Sequence, residues 1–163
     1  MTSNSEPIAS SSSFTLQSHD GDARAGILHT RSGDVHTPCF MPIATGGAFK
    51  GAIEPADVKA MGYGMILSNT YHLHLRPGEN LIRDRGGLGA FMNWEGPILT
   101  DSGGFQAYSL AKINQLDEDG IHFQSHLDGQ PVSLTPETVV DIQSRLGIDI
   151  AMVLDECTDH PCS

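Results

Sequence analysis

A short acidic motif occupies residues 97–106, with the sequence PILTDSGGFQ. An apolar, strand-like run ends at Thr100, and Asp101 follows it directly. Because the next three residues (Ser-Gly-Gly) carry little side-chain bulk, a substrate can lie against the main chain while Asp101 and Gln106 face it. An acid at the carboxyl end of a parallel strand is typical of a catalytic position in α/β proteins. An Asp that only caps the next turn is the alternative, since Asp-Ser-Gly is common in turns.

Polar side chains also follow two other predicted strands. Asn69 comes shortly after the apolar run at residues 65–67, and Asp155 follows the run at residues 148–154. In a barrel the carboxyl ends of the parallel strands form one rim, so we expect these two side chains and Asp101 to converge on one pocket. That convergence favours a functional role for Asp101 over a capping role.

The elements that must position these residues alternate between strand and helix, which predicts a parallel sheet. Four apolar runs predict strands at residues 39–44, 65–67, 98–100 and 148–154. Helices are predicted at residues 55–61, 79–85 and 135–146, the last with Thr135 as its cap and Gly147 as its stop. A small antiparallel segment at residues 14–35 precedes the sheet, and residues 107–134 predict an insertion that contains a hairpin.

The number of strand–helix units is small for a closed barrel. A complete eight-fold barrel needs about 250 residues. This sequence has 163 residues, and its fourth predicted strand is not followed by a helix. Half a barrel leaves two open sheet edges, so we expect the chain to be a truncated form of a longer fold.

The composition bounds the class of protein. The net charge is −11, and an acidic surface repels phosphate groups, so composition alone argues against a nucleic-acid partner. Three cysteines without framework spacing indicate a reducing compartment. Neither a membrane-spanning run nor a signal peptide is visible, so we expect a cytoplasmic protein with no membrane contact. Residues 1–13 are rich in serine and predict a disordered tail.

Several motifs, taken in order, resemble those of the bacterial tRNA-guanine transglycosylases, also called queuine tRNA-ribosyltransferases. The similarity extends from about Phe14 to Thr158 and rests on the stretches FMPIATGGAFKG, SNTYHLHLRPG, PILTDSGGFQ, FQSHLDG, LTPE and DIAMVLDECT. The resemblance implies a zinc-containing TIM (β/α)8 barrel. It also implies exchange of guanine at the anticodon wobble position for a deazaguanine precursor of queuosine, through a covalent ribosyl-enzyme intermediate.

The resemblance implies a role for each matching residue. Asp101 matches the general acid/base, and Asp155 matches the carboxylate that accepts hydrogen bonds from guanine. The other matches are to substrate-binding residues, namely the stacking aromatic and three polar neighbours of the base or ribose: Phe105, Ser102, Gln106 and Asn69. These roles are chemically sensible, because cleavage of a glycosidic bond needs proton management, and adjacent N–H donors suit a carboxylate.

The resemblance also identifies what this sequence lacks. Residues 14–163 match the N-terminal half of the barrel, preceded by the small antiparallel segment, whereas the family's aspartate nucleophile and zinc ligands lie in the other half. Zinc is therefore implied by the family, with no ligands in this chain. The expected partners are tRNA, the guanine or deazaguanine base, and the missing C-terminal half or a homologous subunit. We expect the chain to be inactive alone. The alternatives are a non-catalytic partner subunit, or base-binding fragment, that pairs with a full-length homologue, and an unrelated small-molecule α/β enzyme.

Two groups of residues could suggest a metal site within this chain. The last residues contain Cys157, His160 and Cys162 beside Asp155, but the spacing Cys-x2-His-x-Cys is not a usual zinc pattern. His72 and His74 alternate without a third ligand nearby, so histidines bonded within their own loop are the expected outcome. We therefore predict no metal ligands here.

Overall fold

The elements of the chain alternate much as the sequence predicts. The structure, a computed structural model, describes residues 13–110 and 114–157. Its strands are β1 (Ser13–Asp20), β2 (Ala23–Thr30), β3 (Gly33–Thr37), β4 (Ile66–Ser68), β5 (Ile98–Thr100), β6 (Asn114–Asp117), β7 (Gly120–Gln124), β8 (Pro131–Leu134) and β9 (Ile150–Ala151). Its helices are α1 (Pro55–Ala60), α2 (Thr70–Leu75), α3 (Glu79–Asp84), α4 (Leu88–Met92), α5 (Gly104–Leu110) and α6 (Pro136–Leu146).

The strands that precede Asn69, Asp101 and Asp155 belong to one parallel sheet. Strand β5 lies between β4 and β9, and all three run parallel. A parallel bridge between Ile43 and Leu67 places the apolar run 39–44 on the other side of β4. The predicted α/β class is confirmed. The more specific prediction of half a TIM barrel stays a prediction.

Two of the predicted strands are shorter than expected. The run 148–154 forms only the two-residue strand β9, and the run 39–44 contributes only the bridge at Ile43. The apolar side chains at these two edges of the sheet are exposed: Phe40 at 67%, Ile43 at 56% and Val153 at 74%. Within the described residues, neither edge has a further strand against it.

The small antiparallel segment is present as the sheet β1-β2-β3. A single carboxylate ties it to the parallel sheet, because Asp149 accepts from the main-chain N–H of Ser32 at 2.9 Å and of Ile98 at 3.0 Å. Arg31 adds a bond to the Gly147 carbonyl at 2.7 Å. The predicted tail lies outside the described residues apart from its last residue, Ser13, which begins β1.

The three predicted helices form within about one residue of their expected bounds. Helix α6 begins as the cap predicts: the Thr135 side chain accepts from the Thr138 N–H, and Pro136 occupies the first turn. Gly147 ends the helix at φ 71°, a left-handed conformation that favours glycine. The buried face of α6 packs on the core, whose largest fully buried side chains include Tyr71, Leu73, Ile82, Leu88, Leu134 and Leu146.

Several helices and strands were not predicted. Helix α2 begins two residues after β4, and α5 begins four residues after β5, where short polar and glycine-containing stretches indicated loops. Helix α4 and strand β6 were also missed. The hairpin predicted between residues 107 and 134 is confirmed as β7–β8, with β6 pairing on its outer side. The predicted start of that insertion is wrong, because α5 continues to Leu110.

Candidate active site

Asp101 is held by the first residues after the neighbouring strand. Strands β4 and β5 pair in register, with Ser68 opposite Thr100, so the residues that follow them are neighbours. The Asn69 side-chain amide donates to Asp101 Oδ2 at 2.5 Å, and the main-chain N–H of Thr70 donates to Oδ1 at 2.9 Å. The first N–H groups of a helix have no partner within the helix, so the start of α2 supplies a donor to this carboxylate.

The Asp101 carboxyl has an altered proton affinity. Burial raises its pKa above the ordinary value of 3.8, because the charged form loses contact with water. Hydrogen bonds from Asn69, Thr70 and the Gln106 side chain, together with the nearby His72, lower the pKa but do not offset the burial. A carboxyl with a raised pKa exchanges protons more readily near neutral pH, which is what a general acid/base requires.

Asp155 is tied to the turn that begins at Asp101. The Ser102 hydroxyl donates to Asp155 Oδ1 and accepts from the Gly104 N–H at 3.1 Å. Gly104 is required here, because a Cβ at this position would overlap the Asp155 carbonyl oxygen. Asp101 and Asp155, the two predicted functional carboxylates, therefore follow adjacent parallel strands. Ser102 links them, because it follows Asp101 in sequence and donates a hydrogen bond to Asp155.

A buried glutamine fixes the segment that leads to Asp155. Gln143 of α6 is fully buried, and its side-chain amide binds the main chain of Met152 twice: it donates to the carbonyl at 2.9 Å and accepts from the N–H at 3.1 Å. Its oxygen also accepts from the Thr100 hydroxyl at 2.7 Å. The side chain therefore acts as a short strand edge for a segment in which regular pairing ends at Ala151.

Phe105 and Gln106 lie in the first turn of α5, next to Asp101. The Phe105 side chain is 58% exposed, so its ring face is accessible to a planar ligand. Gln106 hydrogen-bonds Asp101, and its Oε1 atom is buried without a hydrogen-bond partner among the described residues. A buried, unpaired acceptor next to a carboxyl with a raised pKa is suited to a ligand N–H.

The structure thus brings all six predicted site residues to one edge of the sheet. The predicted site residues do not include Thr70, whose N–H donates to the Asp101 carboxylate. Sequence reasoning also missed the surroundings of His72, whose ring lies against those of Tyr71 and His126 rather than bonding within its own loop. For His74 the prediction is confirmed, because its Nδ1 lies 2.8 Å from Glu79 Oε2.

No metal centre is visible in the part of the chain that the structure describes. Residues 13–110 and 114–157 contain no group of three or more His, Cys, Asp or Glu side chains that could hold a metal ion. His160 and Cys162 lie outside these residues. The donor set at this edge of the sheet does not fit a zinc ion.

Comparison with known proteins identifies the family. The family model described as queuine tRNA-ribosyltransferase matches residues 19–163. The chain belongs to the queuine tRNA-ribosyltransferase family. The resemblance drawn from the motifs is confirmed.

Curated members of the queuine tRNA-ribosyltransferase family are similar over most of this chain. One from Thermodesulfovibrio yellowstonii is 52% identical over 148 residues, 91% of this chain and 38% of the relative. One from Listeria welshimeri is 55% identical over 141 residues, 86% of this chain and 37% of the relative. A third, from Oleidesulfovibrio alaskensis, is 52% identical over 153 residues, 94% of this chain and 40% of the relative. The chain therefore spans about two fifths of the length of these relatives.

None of the helices in the described parts of the chain has the length and apolar character that a membrane crossing needs.

Proposed function

We propose that this chain is the base-handling part of a tRNA-guanine transglycosylase, an enzyme that exchanges guanine in an anticodon for a deazaguanine precursor of queuosine. The observation that carries the proposal is that one turn connects two carboxylates. Asp101 accepts hydrogen bonds from Asn69 and Thr70, and Asp155 accepts one from Ser102, the residue after Asp101. The names of the curated relatives support the reaction class, and the comparisons do not favour a non-catalytic partner subunit.

Asp101 is the general acid/base of the proposed reaction. When the glycosidic bond breaks, the departing guanine carries the bonding electron pair and needs a proton, which Asp101 in its acid form supplies. The resulting carboxylate then accepts a proton from the incoming base. The raised pKa of Asp101 supports this assignment, because a carboxyl of ordinary pKa holds few protons at neutral pH.

Asp155 and its neighbours recognise the base. Guanine presents a ring N–H and an exocyclic amine side by side, and a carboxylate accepts from both. The bond from Ser102 occupies only part of the accepting capacity of Asp155. The exposed Phe105 ring stacks on the base, the unpaired Oε1 of Gln106 accepts from its edge, and Asn69 lies nearest the ribose.

We further infer that residues 14–163 are the N-terminal half of a TIM barrel. The parallel order of the Ile43 segment, β4, β5 and β9 is that of four consecutive barrel strands, and the exposed apolar side chains at both outer edges suit additional strands. The remaining part of the barrel would hold the nucleophile, the zinc ligands and much of the tRNA-binding surface. An enzyme that acts on tRNA would work in the cytoplasm.

The test separates recognition from proton transfer. In a chimera, this chain replaces the matching segment of the Thermodesulfovibrio yellowstonii relative, and exchange of radiolabelled guanine into tRNA is measured. We expect Asp155→Asn to weaken guanine binding by about 100-fold, because its amide presents an N–H to a donor of the base. We expect Asp101→Asn mainly to lower the exchange rate, by at least about 100-fold.

The matched control for these two variants is Asp141→Asn. Asp141 is exposed on α6 and pairs only with the neighbouring Arg145 among the described contacts, so its substitution should change neither quantity. Guanine affinity that survives Asp155→Asn intact would show that the recognition assignment is wrong.

A further inference from the structure

Tyr71, the second residue of α2, joins the site to the insertion sheet β6-β7-β8. Its side chain is only 1% exposed, and its ring stacks on Phe123 of β7 with centroids 5.4 Å apart. The Tyr71 ring also stacks on His126, with ring centroids 5.6 Å apart and an angle of 10° between the ring planes. The hydroxyl of Tyr71 lies 2.8 Å from Nδ1 of the same histidine. Stacking and hydrogen bond together fix the position of one ring relative to the other.

The turn that carries His126 is braced by its own hydrogen bonds. The Gly129 N–H donates to the Ser125 carbonyl at 2.8 Å, and the Ser125 N–H donates to the Gln130 carbonyl at 2.8 Å. The buried Ser125 hydroxyl accepts from the Leu127 N–H at 3.2 Å. A turn cross-linked in this way has little freedom, so His126 is a fixed support for Tyr71 rather than a mobile side chain.

The position of Tyr71 determines the geometry around Asp101 from two sides. Tyr71 directly follows Thr70, whose N–H binds the Asp101 carboxylate at 2.9 Å and whose hydroxyl binds its carbonyl at 2.5 Å. The main chain of Tyr71 also lies against the turn after Asp101, since a Cβ on Gly103 would come within 3.1 Å of the Tyr71 nitrogen. A shift of Tyr71 would move both the donors to the acid and the turn that leads to Ser102.

We propose that Tyr71 and His126 are positioning residues for Asp101, and that the insertion sheet acts through their hydrogen bond to hold the start of α2 against the acid. This inference rests on the proposed function, because it assumes that Asp101 performs proton transfer. The inference assigns a role to the turn at residues 125–129, with the sequence SHLDG. None of the described hydrogen bonds joins this turn to the six site residues.

Several titratable groups surround the contact between Tyr71 and His126. Burial raises the pKa of Tyr71, so its hydroxyl stays protonated and can donate to His126 Nδ1. The ring of His72 lies edge-on to both aromatic partners. Burial lowers the pKa of His72; His126 and Lys50 lower it further, and Asp101 opposes them. The Asn69 amide and the Thr70 N–H, at the start of α2, stabilise the Asp101 carboxylate more than His72 does.

The test uses Tyr71→Phe, which keeps the ring and removes the hydroxyl. In the chimera we expect kcat to fall about tenfold while KM for guanine changes less than about twofold, because the acid is displaced and base recognition is not. In the 163-residue chain itself, nuclear magnetic resonance of the Asp101 carboxyl carbon should show a higher pKa. The sign follows from the weaker donors, since losing hydrogen bonds to a carboxylate favours its protonated form.

Two substitutions of His126 distinguish the hydrogen bond from the stacking. His126→Phe retains a ring but no acceptor, and should reproduce the changes in kcat and in the pKa of Asp101. His126→Asn places an oxygen near the former Nδ1, and should restore most of the rate. The double variant Tyr71→Phe with His126→Phe should be no worse than either single variant, because both remove the same bond.

The control is His122→Phe in β7 of the same sheet. His122 Nδ1 lies 2.8 Å from the Ser133 hydroxyl, so this variant removes a comparable histidine bond without touching Tyr71. Equal losses in His122→Phe and Tyr71→Phe, with no change in the pKa of Asp101, would show a merely structural role and overturn the inference. Unchanged kcat in both Tyr71→Phe and His126→Phe would overturn it while the proposed function stands. A folded but inactive unsubstituted chimera would overturn both.

Discussion

At the scale of single residues, the site depends on a partly buried carboxyl whose pKa is raised although several donors stabilise its charge. Asp101 receives hydrogen bonds from Asn69, Thr70 and Gln106, yet its pKa is raised because burial dominates. Removing a charged carboxylate from water costs free energy that these bonds recover only in part. The residue is therefore held in a geometry that disfavours its charged form.

This balance predicts how the free energy of unfolding depends on pH. Because the folded pKa of Asp101 exceeds the unfolded value, the folded state binds more protons, and stability falls as the pH rises from about 4 towards the folded pKa. Asp101→Asn removes this titration. The wild-type stability minus that of the variant should therefore decrease over this interval, as chemical denaturation at several pH values would measure. A difference that increases with pH would contradict the burial argument.

At the scale of elements, short strands are completed by side chains from helices. Strand β9 pairs over only two residues, and Gln143 of α6 then binds both the N–H and the carbonyl of Met152. Asp155 lies three residues beyond that point. A helix therefore determines where the recognition carboxylate stands, through an amide that imitates the edge of a strand.

We expect Gln143→Leu to destabilise the chain by about 2 kcal/mol, since it leaves the buried Thr100 hydroxyl without its acceptor and the Met152 carbonyl without its side-chain donor. The Met152 N–H keeps its bond to the Thr100 carbonyl. Guanine affinity should fall as well, because Asp155 loses its support. Val140→Ala, on the exposed face of the same helix, is the control and should affect neither property. Urea denaturation and isothermal titration with guanine measure the two effects; unchanged guanine affinity in Gln143→Leu would separate this helix from the site.

At the scale of the whole molecule, one carboxylate connects the two sheets that the sequence distinguishes. Asp149 accepts from Ser32, next to the antiparallel sheet, and from Ile98 at the start of β5. Asp149→Ala should lower the free energy of unfolding by about 2 kcal/mol, because two N–H groups lose their acceptor. Hydrogen exchange should become faster at both amides. Faster exchange confined to Ser32 would show that the antiparallel sheet opens without disturbing the parallel one.

The sequence predicted those parts of the molecule whose signals are local. Helix α6 has its cap, its apolar face and its terminal glycine between Thr135 and Gly147, and the runs that became β4 and β5 are apolar and short. Helices α2 and α5 were missed because polar residues after a strand indicate a loop when only neighbours in sequence are considered. The Tyr71–His126 contact spans 55 positions, and no local pattern marks it.

In the site, too, the sequence predicts what depends on local signals and misses what depends on contacts distant in sequence. The six predicted residues are together because each follows or adjoins a strand end, which is a local property. The supports that hold them are distant in sequence: Gln143 lies 43 positions from Thr100, and Asp149 lies 117 from Ser32. A glutamine on a helix or an aspartate before a strand is ordinary in sequence, so only coordinates reveal that these side chains replace main-chain partners.

The apolar side chains at the two outer strands have a practical consequence. One outer edge of the parallel sheet exposes Phe40 and Ile43, and the other exposes Val153. Exposed apolar strand edges can pair with another copy of the chain. Purified polypeptide should therefore self-associate as its concentration increases, and light scattering would register this before any loss of helical circular dichroism. Mild detergent or the substitution Val153→Lys should suppress the clustering, which makes the solubility of this protein adjustable.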